Sequence, residues 1–180
     1  SGGDALTGRS AHSSAKIRPP HAPPMNADSD ASEFDFDDLT EAERFALELR
    51  WYDGSMLPYF EWLMVLIEDR RAEIWQRAKG SPEPAALIAA TKRVIAECGS
   101  LHMAAEMKAQ REEIEKEVWC QGQKGRHDRS EIKQEWAQLY GADWRRWRVR
   151  EYLFVVDRCA ERIGEVLRSS ADDPPSAVSQ

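Results

Sequence analysis

The sequence has few of the residues that indicate a disulfide framework or a membrane span. Its three cysteines, Cys98, Cys120 and Cys159, are an odd number without CxxC spacing, which argues against paired disulfides and for a reducing compartment. Its longest apolar stretch, 56–67, is interrupted by a proline and a glutamate and is shorter than the ~20 apolar residues that cross a bilayer. No charged-then-apolar leader is visible, so we expect a cytoplasmic protein without a membrane partner.

The sequence motifs of common catalytic sites are also lacking. There is no glycine-rich phosphate loop, no GxSxG motif around a nucleophilic serine and no HExxH zinc motif. The paired ExxH motifs of carboxylate di-iron bundles do not occur either. We therefore expect no catalytic residues and no cofactor, and a metal-dependent enzyme is the least favoured class of function.

One set of metal-ligand residue types is present at helical spacing. Cys98, His102 and Glu106 lie at i, i+4 and i+8, so they would share one face of a helix. Thiolate, imidazole and carboxylate groups all bind zinc, but three successive turns span about 12 Å and rarely converge on one ion. The set is a weak metal-site candidate, and the simpler interpretation is that His102 borders the core and forms a local hydrogen bond.

The two terminal segments have compositions that do not support a packed core. Residues 1–24 are rich in Ser, Gly, Ala and Pro, and the segment that follows them is strongly acidic. Such segments bury too little apolar surface to offset the loss of chain entropy. We predict disordered tails at 1–38 and 170–180 around a helical domain at 39–169. The first 24 residues would also suit an export signal of a bacterial effector, and Phe34 and Phe36 in the acidic segment are candidate partner-binding residues.

Between these tails, apolar residues recur at helical spacing and strand-like alternation is absent. We predict an all-α fold, a four- or five-helix bundle. The predicted helices cover 41–52, about 55–79, about 82–119, about 130–139 and about 143–168. The third is predicted to be one long central helix of about 36 residues.

Two of the predicted helices have well-defined apolar faces. Thr40 and Glu43 form a capping-box pattern at the start of the first helix. The predicted core face of that helix consists of Ala42, Phe45, Leu49 and Tyr52. The last helix has a core seam whose members are spaced alternately by three and four residues: Val149, Tyr152, Val156, Cys159, Ile163 and Val166.

Two further apolar sets lie outside these faces. Trp147 and Phe154 stack on the side of the last helix opposite its seam, where they either pack under another helix or form an exposed interface. The long third helix changes its apolar face near Ala105 and presents a second stripe: Met103, Met107, Ile114 and Val118. We predict that both sets bind a protein partner or a second copy of the chain.

Residues 122–150 favour a different partner. They contain eight Lys or Arg against four Asp or Glu, whereas the whole chain has a net charge of −7. The alternative function is therefore a nucleic-acid-binding regulator. Its candidate contacts are Lys124, Arg126, Arg129, Lys133, Arg145, Arg146, Arg148 and Arg150. The four arginines of the stretch DWRRWRVREY do not share one helix face, which weakens this interpretation.

Taken together, these patterns favour a small non-enzymatic helical interaction protein. Such a protein would act as an adaptor, a regulator or an assembly component through protein–protein contacts, with a homodimer among the arrangements to test. Nucleic-acid binding is the runner-up.

Overall fold

The structure, a computed structural model, describes residues 39–169, and within that range every regular element is an α-helix. The all-α class is therefore confirmed. The helices are α1 Glu41–Tyr52, α2 Leu57–Asp69, α3 Arg71–Arg77, α4 Pro84–Cys98, α5 Met103–Gln123, α6 Arg129–Leu139, α7 Gly141–Arg158 and α8 Ala160–Ser169. The predictions for 1–38 and 170–180, including those for Phe34 and Phe36, lie outside the described residues.

The predicted number of helices is wrong because three of the five predicted segments are each divided in two. The largest correction concerns the long third helix, which is two helices, α4 and α5. Gly99 ends α4 with a left-handed backbone, φ 67°, and its N–H donates to the Ile95 carbonyl. His102 then starts α5 by accepting a hydrogen bond from the Ala105 N–H at its Nδ1, 3.2 Å away. A glycine that ends one helix and a cap that begins the next explain the break.

We expect Gly99→Ala to lower the free energy of unfolding by about 1 kcal/mol, because an L-residue is strained at positive φ. Gly122→Ala is the matched control, since Gly122 lies in the last turn of α5 without a positive φ, and an added Cβ there meets no atom within 4 Å. There alanine should stabilise the protein by about 0.5–1 kcal/mol. Urea unfolding followed by circular dichroism measures both values, and equal effects of the two substitutions would contradict the assignment.

The main core lies among α2, α3, α4, α7 and α8, and Leu47 of α1 joins it. Helix α4 packs against α3, α7 and α8, while α2 packs against α3, α7 and α8. The predicted seam of the last segment is largely confirmed, since its first five members are buried and Val166 is half-buried. It meets buried side chains of the other helices: Leu63, Ile67, Ile74, Leu87, Val94 and Ile95.

Helices α5 and α6 form a hairpin beside this core. They pack against each other, and α6 also packs against α7. Four buried apolar side chains outside the main core lie on these three helices: Val118, Ile132, Trp136 and Trp144. The two tryptophan rings meet edge to face with centroids 6.1 Å apart. Within residues 39–169, no helix is both long and apolar enough to cross a membrane.

Candidate functional site

The most concentrated chemistry in the described residues is a buried polar network at the meeting point of α1, α2, α5 and α7. Two arginines, two glutamates, two tyrosines and a tryptophan take part: Arg50, Tyr59, Glu106, Trp147, Arg148, Glu151 and Tyr152. The two carboxylates balance the two guanidinium groups, so the network is neutral as a whole. We call it the polar network.

Glu151 of α7 is one centre of the polar network, and its side chain is only 3% exposed. Its Oε1 accepts hydrogen bonds from Arg50 Nη1 and, at 2.9 Å, from Trp147 Nε1. Its Oε2 accepts from the Tyr59 hydroxyl at 2.9 Å and from Arg148 Nη1 at 3.2 Å. Both oxygens thus accept two hydrogen bonds each, as buried polar groups in folded proteins generally require.

Glu106 of α5 is the second centre. Arg148 donates to it in a bidentate manner, from Nε at 3.1 Å and from Nη2 at 3.1 Å. The Tyr152 hydroxyl also donates to Glu106 Oε2. The Arg148 guanidinium lies over the rings of Tyr59 and Tyr152, 5.2 Å and 5.5 Å from their centroids. This arginine therefore attaches the start of α5 to α2 and α7.

The electrostatics of the polar network keep both arginines charged. Burial alone would lower the pKa of Arg148, but its hydrogen bond to Glu106 and the nearby Tyr59 outweigh burial, so this pKa is raised. Burial likewise opposes the charge on Arg50, and Glu151 outweighs it. The carboxylates and the guanidinium groups of the network are thus hydrogen-bonded to one another. Such an arrangement is better suited to holding helices in fixed positions than to transferring protons in a reaction.

Tyr59 and Tyr152 give the network a signature at high pH. Burial raises the pKa of both hydroxyls above the ordinary 10.0. The folded state therefore keeps protons that the unfolded chain loses, so stability is unaffected below about pH 10 and falls as the pH rises further.

Tyrosinate absorbance during an alkaline titration measures this effect. We expect Tyr59→Phe and Tyr152→Phe each to remove less of the folded protein's absorbance rise near pH 10 than one ordinary tyrosine contributes, because burial moves the ionisation of both hydroxyls to higher pH. A variant that loses the full contribution of an ordinary tyrosine there would show that its hydroxyl titrates normally.

The prediction that Trp147 and Phe154 form an exposed pair is wrong. Trp147 is 5% exposed, belongs to the main core and donates to Glu151. Phe154 is half-buried, and its ring meets Trp51 of α1 edge to face at 6.4 Å. The alternative that the sequence left open, a second intramolecular contact, is the one observed. Neither residue offers a free partner-binding surface.

The second predicted stripe is divided by the structure. Met103 and Met107 are exposed near the start of α5, whereas Ile114 is half-buried and Val118 is buried against the hairpin. Val118 is therefore removed from the predicted partner surface, because the chain itself covers it. Of the four predicted residues, only the two methionines remain exposed; Trp119, near the end of the same helix, is exposed as well.

The eight predicted nucleic-acid contacts do not form one surface. Arg148 belongs to the polar network with its side chain 12% exposed, and Arg150 is 7% exposed. Both positions contradict a role in contacting phosphates. Lys124 and Arg145 are exposed.

The other predicted contacts are engaged by acidic groups of the same chain. Arg129 and Lys133 both bind Glu115 at 2.6 Å. Arg126 binds Glu135 at 2.7 Å, and Arg146 contacts Asp143 at 3.3 Å. These ion pairs partly neutralise the four cations, so fewer positive side chains are left to contact phosphates.

The weak metal-site candidate is not assembled. Cys98 lies in the last turn of α4 and accepts a 3.5 Å hydrogen bond from Arg70, while Glu106 belongs to the polar network. His102 caps α5, and its ring lies 5.2 Å from that of Trp62. No group of three potential ligands occurs among the residues that the structure describes. The expected local hydrogen bond of His102 is confirmed.

An exposed apolar stripe on α1 is the feature that sequence reasoning misjudged most. Phe45, Leu49 and Tyr52 were predicted to face the core, but they are 67%, 55% and 76% exposed. Leu47, on the opposite side of the helix, is buried at 1%. We call these three exposed side chains the α1 stripe. Its spacing of four and three residues is that of a coiled-coil seam.

Comparisons with protein-family models, with curated proteins and with solved structures found no match.

Proposed function

We propose that this chain is a non-enzymatic helical interaction protein, an adaptor, regulator or assembly component, whose main docking surface is the α1 stripe. The observation that carries the proposal is that a seam with coiled-coil spacing faces outward. Large exposed apolar side chains in register along one helix are typical of a surface that another helix covers. The exposed pair Met103 and Met107 supplies a second, smaller contact, because flexible thioether side chains adapt to varied partners.

The polar network supports this proposal indirectly. Its carboxylates are saturated by arginine, tyrosine and tryptophan donors of the same chain. The network holds α1 and the start of α5 on the main core, through Arg50 and Glu106. It therefore serves to present these helices at a fixed place, which is useful for docking.

The test compares a stripe variant with a matched surface control. The stripe variant carries Phe45→Gln, Leu49→Gln and Tyr52→Gln. The control carries three substitutions at other exposed residues, Glu112→Gln, Gln134→Ala and Glu161→Gln. We expect both to unfold at the wild-type temperature, because neither alters the core. A partner that co-purifies with the wild type and the control should be lost from the stripe variant, and its retention there would contradict the proposal.

A further inference from the structure

The charges that α1 and its C-cap place beside the α1 stripe have one sign. At 100° per residue, Glu41 and Glu48 flank the stripe on one side and Asp53 flanks it on the other. The only cations of α1, Arg44 and Arg50, lie further round the helix. A partner helix that covers the stripe would therefore meet carboxylates on both sides of its apolar seam.

The three carboxylates differ in how free they are to pair with the cations of a partner helix. Arg158 of α7 binds Glu48, which reduces the charge at that position. Glu41 and Asp53 form no ion pair with any residue from 39 to 169, and both are exposed. The Ser55 N–H donates to Asp53 Oδ1 at 2.8 Å, and this bond holds the pKa of Asp53 below its ordinary value. Asp53 is thus ionised at neutral pH, and one charge remains on each flank.

The covalent chain adds more negative charge at the start of α1. Residues 33–38 contain four acidic side chains and no basic one, and they join Leu39 directly. Six residues reach at most about 20 Å, so covalent connection limits these charges to that distance from the start of α1. Between Glu33 and Asp53 the sequence holds eight acidic and two basic residues, a net charge of −6.

This charge distribution discriminates between the occupants of the stripe. Two copies of α1 pairing in either direction would place acidic flanks against acidic flanks, which is destabilising. The acidic segment at 33–38 would likewise bring like charges if it folded back onto the stripe. A helix whose apolar seam is flanked by lysine or arginine would instead gain attraction on both sides.

We propose that the α1 stripe docks a basic amphipathic helix of another protein. The seam of that helix packs on Phe45, Leu49 and Tyr52, and its Lys or Arg flanks face Glu41, Glu48 and Asp53. This inference rests on the proposed function, since it names the kind of partner that the same surface takes. The negative charge of α1 selects the partner and the apolar seam supplies the contact area.

Two synthetic helical peptides serve as probes for the full chain. Both have about two heptads with leucine at the seam positions, and the flanking positions are lysine in one and glutamate in the other. Fluorescence anisotropy measures each Kd. At about 20 mM salt we expect the lysine peptide to bind at least about tenfold more tightly, and at about 300 mM salt this ratio should shrink as the charges are screened. Equal affinities at low salt would overturn the proposal.

Substitutions then show which residues of the chain produce the preference for the lysine peptide. The stripe variant should weaken the lysine peptide at least about tenfold, a loss of about 1.4 kcal/mol. Glu41→Gln with Asp53→Asn should reduce the preference for lysine severalfold. The matched control, Glu112→Gln with Glu161→Gln, removes two exposed acids from α5 and α8 and should leave the preference unchanged. A control that reduces the preference equally would show a nonspecific charge effect and overturn the proposal.

The competing occupants give different results. A dimer of the free chain in light scattering that the stripe variant dissociates would show that a second copy covers the stripe. Tighter binding of both peptides after Phe34→Ser and Phe36→Ser would show that the acidic segment covers it. Either result overturns the proposal of a basic-helix partner, but the α1 stripe would still be a docking surface. If instead the stripe variant changes no binding measurement at all, the proposed function itself fails.

Discussion

Replacing Glu151 with alanine is expected to lower the free energy of unfolding by about 3–5 kcal/mol, the usual cost of breaking a buried ion pair by removing one partner. The carboxylate is 3% exposed and accepts from Arg50, Tyr59, Trp147 and Arg148. Its removal takes an acceptor from four donors, two of which are cations; Arg148 keeps its bonds to Glu106, but Arg50 loses its only carboxylate partner among residues 39–169. Since a small domain is stable by only about 5–15 kcal/mol, this loss is a large fraction of the total.

Urea unfolding followed by circular dichroism measures this loss, and two further variants make it interpretable. Glu151→Gln keeps one acceptor oxygen but removes the charge, so we expect an intermediate cost. Glu112→Ala changes an exposed glutamate on α5 and should alter stability by no more than about 0.5 kcal/mol. If Glu151→Ala costs no more than Glu112→Ala, the polar network contributes nothing to holding the helices together.

The cost of Glu151→Ala tests a feature that could not be predicted from the sequence. The two long-range contacts of Glu151 join residues that lie 101 and 92 positions apart, Arg50 to Glu151 and Tyr59 to Glu151. Periodicity describes which residues share a helix face but not which face of another helix they meet. The one local sign was the order Trp147, Arg148, Glu151, Tyr152, in which donors and an acceptor stand one turn apart.

The features that were predicted correctly depend on short-range patterns. The capping box of α1 is confirmed, because Thr40 and Glu43 need only each other: the Glu43 N–H donates to Thr40 Oγ1 at 3.2 Å and the Thr40 N–H donates to Glu43 at 2.8 Å. The buried seam of α7 and α8 is confirmed in the same way, since its spacing alone defines a wide apolar face.

Helix boundaries without a strong local signal were predicted less well. The third and fourth segments were predicted to begin at about residues 82 and 130, whereas α4 begins at Pro84 and α6 at Arg129. The divisions at Arg70 and Cys159 occur at neither glycine nor proline. At these two positions the packing of the flanking helices on the main core determines where the chain bends. Local residue patterns do not predict that packing.

Helix α1 shows the same limit most clearly, because it is apolar on two sides. The side with Phe45, Leu49 and Tyr52 is the more regular, so periodicity selected it as the core face. The opposite side carries Leu47 and Trp51, and the core takes that side. Arg50 and Glu48 reinforce the choice by binding Glu151 and Arg158 of α7. Long-range ion pairs thus orient α1 against its own more regular apolar pattern.

A pair of leucine substitutions on α1 separates the two orientations. Leu47→Ala should cost about 2–5 kcal/mol, as expected for a leucine that is 1% exposed. Leu49→Ala, two residues further on, should change stability by no more than about 0.5 kcal/mol because that side chain is 55% exposed. Both substitutions change helix propensity equally, so the difference between them measures burial. The measurement is urea unfolding at a protein concentration low enough to exclude self-association.

The order of these two costs bears directly on the function. If Leu49→Ala is the more destabilising, α1 faces the core with the side that periodicity selected, and the α1 stripe does not exist as a surface. If both are costly, the chain itself covers the stripe and a partner helix has no place to bind. Only a large cost at Leu47 with little at Leu49 leaves an apolar seam that contributes nothing to folding. Such a seam has to be maintained for another reason, and docking a basic helix supplies one.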